Sequence, residues 1–272
     1  MISQSPVLVA QITDTHLFAD PTQGTMYGLP TESSFVKVLE KLKQLQPQPD
    51  VLLLTGDLSQ DETSESYQRL ASLLSPLNIP TYWIAGNHDN LPTMERVLNS
   101  APISAKKSFE MGGWNFFLLN TNVPGLVYGE ISPESLEWLE YNIKMTGNKP
   151  VLIALHHPPV KINSEWMDKI LLHNPENLLN IINRYPQVKI VLYGHVHQEF
   201  AKEINGIHYL STPSTCIQFE PGNPKFFLDK QPPGLRLLTL YPDGNYITKI
   251  ERADYIYECD MAATGYSSTT NN

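Results

Sequence analysis

Short apolar segments recur along the chain, each bounded by turn-forming residues. They are four to six residues long and rich in β-branched or aromatic side chains, which is typical of strands buried on both faces of a sheet. Segments of this length do not by themselves exclude short buried helices. The six segments predicted as strands are residues 7–12, 51–55, 81–85, 116–119, 151–155 and 190–193.

Helical patterns lie between several of these segments. Apolar residues three and four positions apart predict amphipathic helices over residues 35–45 and 67–77. Ser132 followed by Pro133 is typical of an N-cap with proline at the first helical position, so a helix is predicted to begin there. Residues 174–185 form a further helical stretch. Strands that alternate with helices in this way indicate an α/β fold.

The last third of the chain follows a different pattern. Two Asn-Gly or Asp-Gly dipeptides, each between strand-like segments, predict β-hairpins. They are Asn205-Gly206, between residues 200–204 and 207–211, and Asp243-Gly244, between residues 235–241 and 246–250. We therefore expect a more antiparallel sheet after the helix-flanked strands, packed with them as a single domain over residues 1–261. The Ser-, Thr- and Asn-rich residues 262–272 are expected to form a flexible polar tail.

Composition and charge exclude several classes of protein. The 272 residues contain two cysteines, Cys216 and Cys259, which provide neither a disulfide framework nor a Cys-x-x-Cys metal motif. Without a signal-peptide pattern or an apolar run of about 20 residues, we expect a cytoplasmic protein that does not contact membranes. The net charge of −9 argues against nucleic acid as the main partner, because nucleic-acid binding needs a positive surface. The oligomeric state stays open.

Residue types that bind metals follow five of the predicted strands. Because the carboxyl ends of strands form the ligand-binding crevice of an α/β sheet, these residues are expected to converge there. The five segments are Thr13-Asp14-Thr15-His16, Gly56-Asp57, Gly86-Asn87-His88-Asp89, His156-His157-Pro158-Pro159 and Gly194-His195-Val196-His197. Each segment alone could be a turn or a strand end with a hydrogen-bonded histidine. Their joint occurrence, with six of the eight histidines, favours a metal site.

The ligand types indicate which metals fit. Imidazole and carboxylate groups suit Mn, Fe, Zn or Co better than a metal that prefers thiolates. Seven ligands are too many for one tetrahedral zinc ion but suit two ions that share a bridging carboxylate. Asp14 and His16, like His195 and His197, are two positions apart, so an extended backbone would send each pair to one side. Two divalent ions would carry more positive charge than Asp14, Asp57 and a bridging hydroxide offset. The positive charge that remains would attract a phosphodiester despite the acidic chain.

The ordered set of segments resembles the calcineurin-like metallophosphoesterase superfamily. This resemblance implies a four-layer αββα sandwich, in which two mixed β-sheets are flanked by helices. It also implies two metal ions per chain. One would be held by Asp14, His16, Asp57 and His197, and the other by Asp57, Asn87, His156 and His195. His156 is preferred to His157 because members of the superfamily place the ligand first in a His-x-Pro pattern. His157 would then support the ligands or face the substrate.

Further segments resemble the bacterial class III 3',5'-cyclic AMP phosphodiesterases of the CpdA/Icc type, over nearly the whole chain. They are residues 11–19, 56–61, 198–199 and especially 212–219. The resemblance implies that the enzyme hydrolyses 3',5'-cyclic AMP, a small-molecule substrate, to 5'-AMP through a hydroxide that bridges the two metals. Iron or manganese is the expected metal, with zinc, cobalt or magnesium as alternatives.

Two residues outside the ligand set are candidates for a part in this reaction. His88 could protonate or stabilise the leaving 3' oxygen, or it could only support Asn87. Asp61 could orient His88, or it could begin the helix that follows.

Several alternatives stay open at this point. The metal motifs do not identify the substrate, so the ester could instead be a glycerophosphodiester, a 2',3'-cyclic nucleotide or a phosphomonoester. A metal-binding regulatory protein without catalysis and a nuclease are further alternatives, and the acidic charge opposes the nuclease. His173 and His208 lie outside the motifs and are expected to be surface or packing residues.

Overall fold

The structure is a computed structural model, and it describes residues 5–263 and residue 265. Most of the tail predicted at residues 262–272 lies outside the described residues. The strands are β1 (Val7–Ile12), β2 (Thr25–Met26), β3 (Leu29–Pro30), β4 (Val51–Thr55), β5 (Thr81–Ile84), β6 (Ile103–Ser104), β7 (Ser108–Met111), β8 (Trp114–Leu118), β9 (Val151–Leu155), β10 (Val188–Tyr193), β11 (Phe200–Ile204), β12 (Ile207–Ser211), β13 (Gln218–Phe219), β14 (Leu228–Asp229), β15 (Gly234–Leu240) and β16 (Tyr246–Arg252). The α-helices are α1 (Thr31–Lys43), α2 (Ser64–Leu74), α3 (Leu91–Val97), α4 (Pro133–Met145) and α5 (Pro175–Ile182), and short 3-10 turns cover Ser75–Leu77 and Met167–Lys169.

Two six-stranded sheets face each other, and helices cover the outer face of each. The first sheet has the order β16-β15-β1-β4-β5-β6 and the second the order β11-β12-β10-β9-β8-β7. The inner strands of both sheets are parallel, and antiparallel strands stand at every edge except that of β6, which pairs parallel with β5. Helices α1 to α3 pack on the first sheet, and α4 and α5 on the second. The predicted αββα sandwich with two mixed sheets is confirmed.

The central strands alternate between two apolar environments. In β4, Val51 and Leu53 pack between the sheets, whereas Leu52 and Leu54 pack against the helices. All four side chains are buried. A strand covered on both faces needs apolar residues at every position, which is why these segments appear in the sequence as continuous apolar runs.

The helices form where the sequence predicts them, with one addition. Ser132 caps α4 by accepting a hydrogen bond from Ser135 N, and α1, α2 and α5 fall within two to four residues of the predicted ranges. Helix α3 was not predicted, although Asn90 caps it and a proline lies in its first turn. Among the described residues, no helix has the length and apolar character needed to cross a membrane.

Both predicted late hairpins form and are antiparallel, but instead of a more antiparallel sheet of their own they extend the two mixed sheets. The β11–β12 hairpin extends the second sheet, with β12 parallel to β10. The β15–β16 hairpin extends the first sheet beside β1. Without the hairpins, strands β1 and β10 would present unpaired backbone N–H and C=O groups at their sheet edges. Each hairpin supplies the hydrogen-bond partners for one of these edges.

Candidate metal centre

The five ligand segments converge at one end of the sandwich, where strands of both sheets end. Backbone hydrogen bonds tie the segments together: Asp14 N donates to Gly56 O at 3.0 Å, and His16 N to Asp57 O at 3.0 Å. Gly194 N, beyond β10, donates to His156 O, beyond β9, at 3.2 Å. Residues from positions 14 to 197 therefore share one crevice, as the strand order of an α/β fold requires.

The first group of side chains surrounds His197. Its Nε2 atom lies 3.4 Å from Asp14 Oδ1 and 3.2 Å from His16 Nε2. His16 Nε2 in turn lies 3.8 Å from Asp57 Oδ2. Two ligands bonded at about 2.0 to 2.2 Å to one tetrahedral ion stand roughly 3.4 Å apart, so this spacing suits a shared cation.

The second group contacts the same aspartate from the other side. His156 Nε2 lies 3.3 Å from Asp57 Oδ2 and 3.3 Å from Asn87 Oδ1. The His195 ring packs 5.1 Å from the His156 ring, measured between centroids. In the described part of the chain, Asp57 Oδ2 and both His195 ring nitrogens are buried without a hydrogen-bond partner. Buried polar atoms of this kind call for a ligand that is not a protein group.

Hydrogen bonds fix the tautomers of three of these histidines. Each has an oxygen acceptor at Nδ1: His16 faces Gln60 Oε1 at 2.6 Å, His156 faces Thr55 O at 2.7 Å and His197 faces Ile217 O at 2.9 Å. The Nδ1 atoms therefore donate, and the Nε2 lone pairs point at each other and at carboxylates. Lone pairs and carboxylates at these distances repel unless a proton or a metal cation lies among them, and nitrogen and oxygen donors of this kind fit divalent metal ions.

The pKa values of the histidines in the crevice also reflect the buried carboxylates beside them. Burial opposes the charged form of His156 and His197, yet Asp57 raises the pKa of His156 to about 9 and Asp14 raises that of His197 to about 10. Burial lowers the pKa of His16 to about 3 despite the nearby Asp57. The buried carboxylates thus favour positive charge here, whether it comes from protons or from bound cations.

Five of the seven predicted ligands have a left-handed backbone. Their φ values are 54° for Asp14, 45° for His16, 50° for Asp57, 71° for His195 and 46° for His197. The prediction that Asp14 and His16, and His195 and His197, lie close together is confirmed. The reason given for it, an extended backbone, is wrong. A non-glycine residue at positive φ costs free energy and persists where the surroundings enforce it, as they do at functional sites.

Two glycines allow the segments to approach this closely. A Cβ atom at Gly194 would collide with Thr13 Oγ1 and would lie 2.8 Å from Thr55 O and 3.0 Å from Asp14 Oδ2. A Cβ atom at Gly86 would collide with Asp57 Oδ1. These positions need glycine because there is no space for a side chain.

Asp89 is a site residue to which the sequence analysis gave no role. Its carboxylate accepts hydrogen bonds from Leu58 N, Ser59 N and Gly86 N, at 2.9 to 3.1 Å, and from Tyr67 OH at 3.0 Å. It holds the Asp57 loop against the Asn87 loop. Burial and the charge of Asp57 raise the pKa of Asp89 to about 7, against the hydrogen bonds from these backbone groups. The sequence feature that could have indicated a role for Asp89 is its position directly after Gly86-Asn87-His88.

Other supporting groups lie close to the ligands in space but carry no recognisable motif. Thr13 Oγ1 donates to Asp14 Oδ2 at 2.7 Å, and Asn122 Nδ2 donates to Gly86 O at 2.6 Å. Gln60 and Ile217 accept from ligand histidines, as described above. Backbone carbonyl groups such as that of Ile217 cannot be identified from residue type, because every residue has one.

The three candidate catalytic residues take different positions. His88 is 5% exposed, its backbone N–H donates to Asp57 Oδ1 at 2.8 Å, and its ring lies 5.1 Å from that of His16. Asp61 accepts from Ala19 N at 2.7 Å and from Thr63 Oγ1 at 2.8 Å. Since Thr63 caps α2, this arrangement favours the helix-start interpretation of Asp61, and its orientation of His88 stays a prediction.

His157 adjoins the second group: one ligand atom each of His156, His157 and His195 lie within 4.8 Å of one another, and among the described residues His157 Nε2 is buried without a hydrogen-bond partner. The residue is fully buried, its Nδ1 is 2.8 Å from Thr121 Oγ1, and its ring packs 4.7 Å from that of His195. The ligand preference for His156 over His157, and the role of His157, stay predictions. The two remaining histidines are peripheral, as expected: His173 is exposed and stacks on Tyr128, and His208 packs on Tyr246.

Comparison with known proteins identifies relatives of the whole chain. The family model for calcineurin-like phosphoesterases matches residues 7–199. A 3',5'-cyclic-nucleotide phosphodiesterase of Nostoc sp. is 49% identical over 264 residues, which cover 97% of this chain and 99% of that protein. The 3',5'-cyclic adenosine monophosphate phosphodiesterase CpdA of Pseudomonas aeruginosa is 39% identical over 265 residues, 97% of each chain.

Solved structures share the fold at low sequence identity. A dimetal phosphatase from Danio rerio has a TM-score of 0.65 and 15% identity, over 90% of this chain and 99% of that one. A purple acid phosphatase from yellow lupin has a TM-score of 0.69 and 15% identity, over 99% of this chain and 58% of that one. These likenesses support the sandwich architecture.

Proposed function

The chain belongs to the calcineurin-like phosphoesterase family, and we propose that it is a dimetal phosphodiesterase that hydrolyses 3',5'-cyclic AMP to 5'-AMP. One observation carries the proposal of two metals. Among residues 5–263 and 265, Asp57 Oδ2 is buried without a hydrogen-bond donor, between His16 Nε2 at 3.8 Å and His156 Nε2 at 3.3 Å. Near-full-length relatives named as 3',5'-cyclic-nucleotide phosphodiesterases support the substrate class.

Each of the two groups of side chains is proposed to hold one ion, and Asp57 is common to both. The first group is Asp14, His16, Asp57 and His197, and the second is Asp57, Asn87, His156 and His195. Nitrogen and oxygen donors of this kind suit iron and manganese, and zinc, cobalt or magnesium would also be accepted. Two bound divalent ions would acidify water and offset negative charge on the phosphoryl oxygens.

The chain's own residues position the reaction. His88 is slightly exposed, and its backbone is held on Asp57, so its ring is placed to donate a proton or a hydrogen bond to the leaving 3' oxygen. Asp61 fixes the loop that contains Ala19 and the start of α2. His157 is proposed to support His195, against which its ring packs.

The charge of the chain bears on the kind of substrate. A cyclic nucleotide is a small anion, and the proposed ions supply positive charge that the chain, with its net charge of −9, lacks elsewhere. We therefore propose a small-molecule substrate and not a nucleic acid. We also propose that the enzyme is cytoplasmic and acts without a membrane partner.

A substrate panel tests this proposal. The Mn²⁺-loaded protein is assayed with 3',5'-cyclic AMP, 3',5'-cyclic GMP, 2',3'-cyclic AMP, a glycerophosphodiester and a phosphomonoester. We expect the highest kcat/KM for 3',5'-cyclic AMP, with 5'-AMP as the product. We expect Asp57→Asn to abolish turnover, whereas the matched control His208→Asn, outside the crevice, keeps it. Preference for another ester by tenfold or more would contradict the substrate, and bound metal without hydrolysis of any ester would favour a regulatory protein.

A further inference from the structure

The space between the two sheets changes from apolar to polar next to the proposed metal centre. Along β1, Val7 and Val9 pack in the apolar layer between the sheets. Gln11 is the next residue on that face, because side chains alternate along a strand, and it is fully buried. A buried amide costs free energy unless it is hydrogen-bonded, and apolar residues are far commoner at such positions. The glutamine therefore needs an explanation that packing alone does not supply.

The side-chain amide of Gln11 is hydrogen-bonded to three other segments of the chain. Its Nε2 donates to Thr55 Oγ1 at 2.8 Å and to Tyr193 O at 2.9 Å, and its Oε1 accepts from Thr212 Oγ1. Thr55 ends β4 in the first sheet, Tyr193 ends β10 in the second sheet, and Thr212 directly follows β12. One side chain thus connects the ends of strands from both sheets.

Thr55 connects Gln11 to proposed ligands of both groups. Thr55 O faces His156 Nδ1 at 2.7 Å and so fixes the ring of a ligand in the second group. Thr13 Oγ1, which donates to Asp14 Oδ2 at 2.7 Å, lies 3.3 Å from the same carbonyl oxygen. A displacement of Thr55 would therefore move the partners that orient one ligand in each group.

The bond from Gln11 to Tyr193 acts on the segment that carries His195. Tyr193 is followed by Gly194 and His195, so the Tyr193 carbonyl group lies at the start of this ligand segment. The segment passes so close to β4 that a Cβ atom at Gly194 would lie 2.8 Å from Thr55 O. Because Gln11 Nε2 bonds to both Thr55 and Tyr193, it sets the spacing between the ends of β4 and β10 at this point.

We propose that Gln11 is a positioning residue of the metal centre, whose amide holds the ligand segments of the two sheets at the spacing that two ions require. Gln11 is not one of the seven proposed ligands, and it acts through Thr55 and Tyr193. The proposal rests on the proposed function, because it needs two ions at the crevice. Groups that orient metal ligands typically change metal affinity by about 10- to 100-fold when they are replaced.

Calorimetric titration of the full-length chain with Mn²⁺ tests this role. We expect Gln11→Leu to bind Mn²⁺ about tenfold more weakly than the wild type, or more weakly still. Gln48→Leu is the matched control, and it should keep the wild-type affinity. Gln48 also donates to backbone carbonyl groups, those of Leu42, Lys43 and Leu45, but it lies before the amino end of β4, away from the crevice. Equal Mn²⁺ affinity in Gln11→Leu and Gln48→Leu would overturn the proposal.

Electron paramagnetic resonance separates positioning from a general loss of stability. At saturating Mn²⁺, two ions that share a ligand are magnetically coupled, and the coupling depends on how the ions are spaced and bridged. We expect weaker coupling in Gln11→Leu and an unchanged spectrum in Gln48→Leu. A Gln11→Leu spectrum identical to that of the wild type would overturn the positioning role. A wild type without coupled ions would instead contradict the proposed dimetal centre, so the two failures are distinguishable without any assay of hydrolysis.

Two smaller changes keep the test intact if Gln11→Leu does not fold. Thr55→Val and Thr212→Val each remove one hydroxyl that bonds to Gln11 and keep a β-branched side chain of similar shape. We expect each to weaken Mn²⁺ binding about threefold or more, because part of the bonding to Gln11 is retained. Unchanged Mn²⁺ affinity in both variants would overturn the role of the Gln11 hydrogen bonds.

Discussion

Three histidines at the centre of the crevice show how single residues create a metal site. His16, His156 and His197 each donate Nδ1–H to an oxygen of another segment, and this leaves Nε2 as an acceptor. The same bond fixes the plane of each ring, so the ligands are oriented before an ion binds. Residue type alone predicted these three histidines as ligands, but the partners at Nδ1 could not be predicted, because two of the three are backbone carbonyl groups.

His88→Ala tests the proposed role of His88 as a proton donor in the crevice. We expect kcat to fall by about 10² to 10⁴, the usual contribution of a positioned proton donor, while the metal content per chain stays the same. Elemental analysis and steady-state kinetics give the two values. His173→Ala, an exposed histidine stacked on Tyr128, is the control. Unchanged turnover in His88→Ala would remove this residue from the mechanism.

Asp89→Asn tests the residue that the sequence analysis missed. The amide would place an N–H group among four donors that now meet a carboxylate. We expect the free energy of unfolding to fall by about 2 to 4 kcal/mol, and metal affinity to fall with it, because the Asp57 loop loses its anchor. Urea denaturation of this variant and of the exposed control Asp20→Asn measures the difference. Equal stability of the two would show that Asp89 does not organise the loops.

At the scale of elements, the central strands are predictable and the edges are not. Each of the six central strands is covered on both faces, so most of its length is apolar and stands out in the sequence. The two-residue strands β2, β3, β6, β13 and β14 are too short to show any period. The sheet that each hairpin joins depends on open edges elsewhere in the chain, which local patterns do not contain.

Gly194→Ala tests the close approach between β10 and the Asp14 loop. The new Cβ atom would displace Thr13 and the Asp14 carboxylate, so we expect less than one ion per chain and a loss of turnover. Gly222→Ala is a suitable control, because it has nothing within 4 Å and costs only the strain of its φ of 72°. Metal content of both variants is measured after dialysis against the same Mn²⁺ buffer. Full metal content in Gly194→Ala would contradict the proposed packing.

The lowered pKa of Lys107 should make the stability of the fold depend on pH. Its Nζ lies 3.6 Å from the centroid of the Trp83 ring and 3.0 Å from Trp83 O, and burial lowers its pKa from 10.5 to about 8. The folded state thus releases this proton before the unfolded state does, so the free energy of unfolding should rise between pH 8 and pH 10. The rise is on the order of 1 kcal/mol after solvent screening. Lys107→Met should show a smaller rise over this window, and an equal rise in both proteins would contradict the assignment.

At the scale of the whole molecule, the proposed metal centre lies where the two sheets meet. Strands β1, β4 and β5 supply ligand segments from the first sheet, and β9 and β10 supply them from the second. Buried Arg236, on β15, links the sheets by donating to Ser211 O at the end of β12. The sequence indicated that the segments converge, but this link was not predictable, because an arginine in a strand is ordinarily exposed.

Anomalous diffraction from crystals grown with Mn²⁺ tests the central claim most directly. The account predicts two peaks, about 3.5 to 4 Å apart, on either side of Asp57 Oδ2 and within bonding distance of the two groups of side chains. It predicts that Asp57→Asn weakens both peaks together. A single peak, or peaks away from Asp57, would contradict a dimetal centre built around this aspartate.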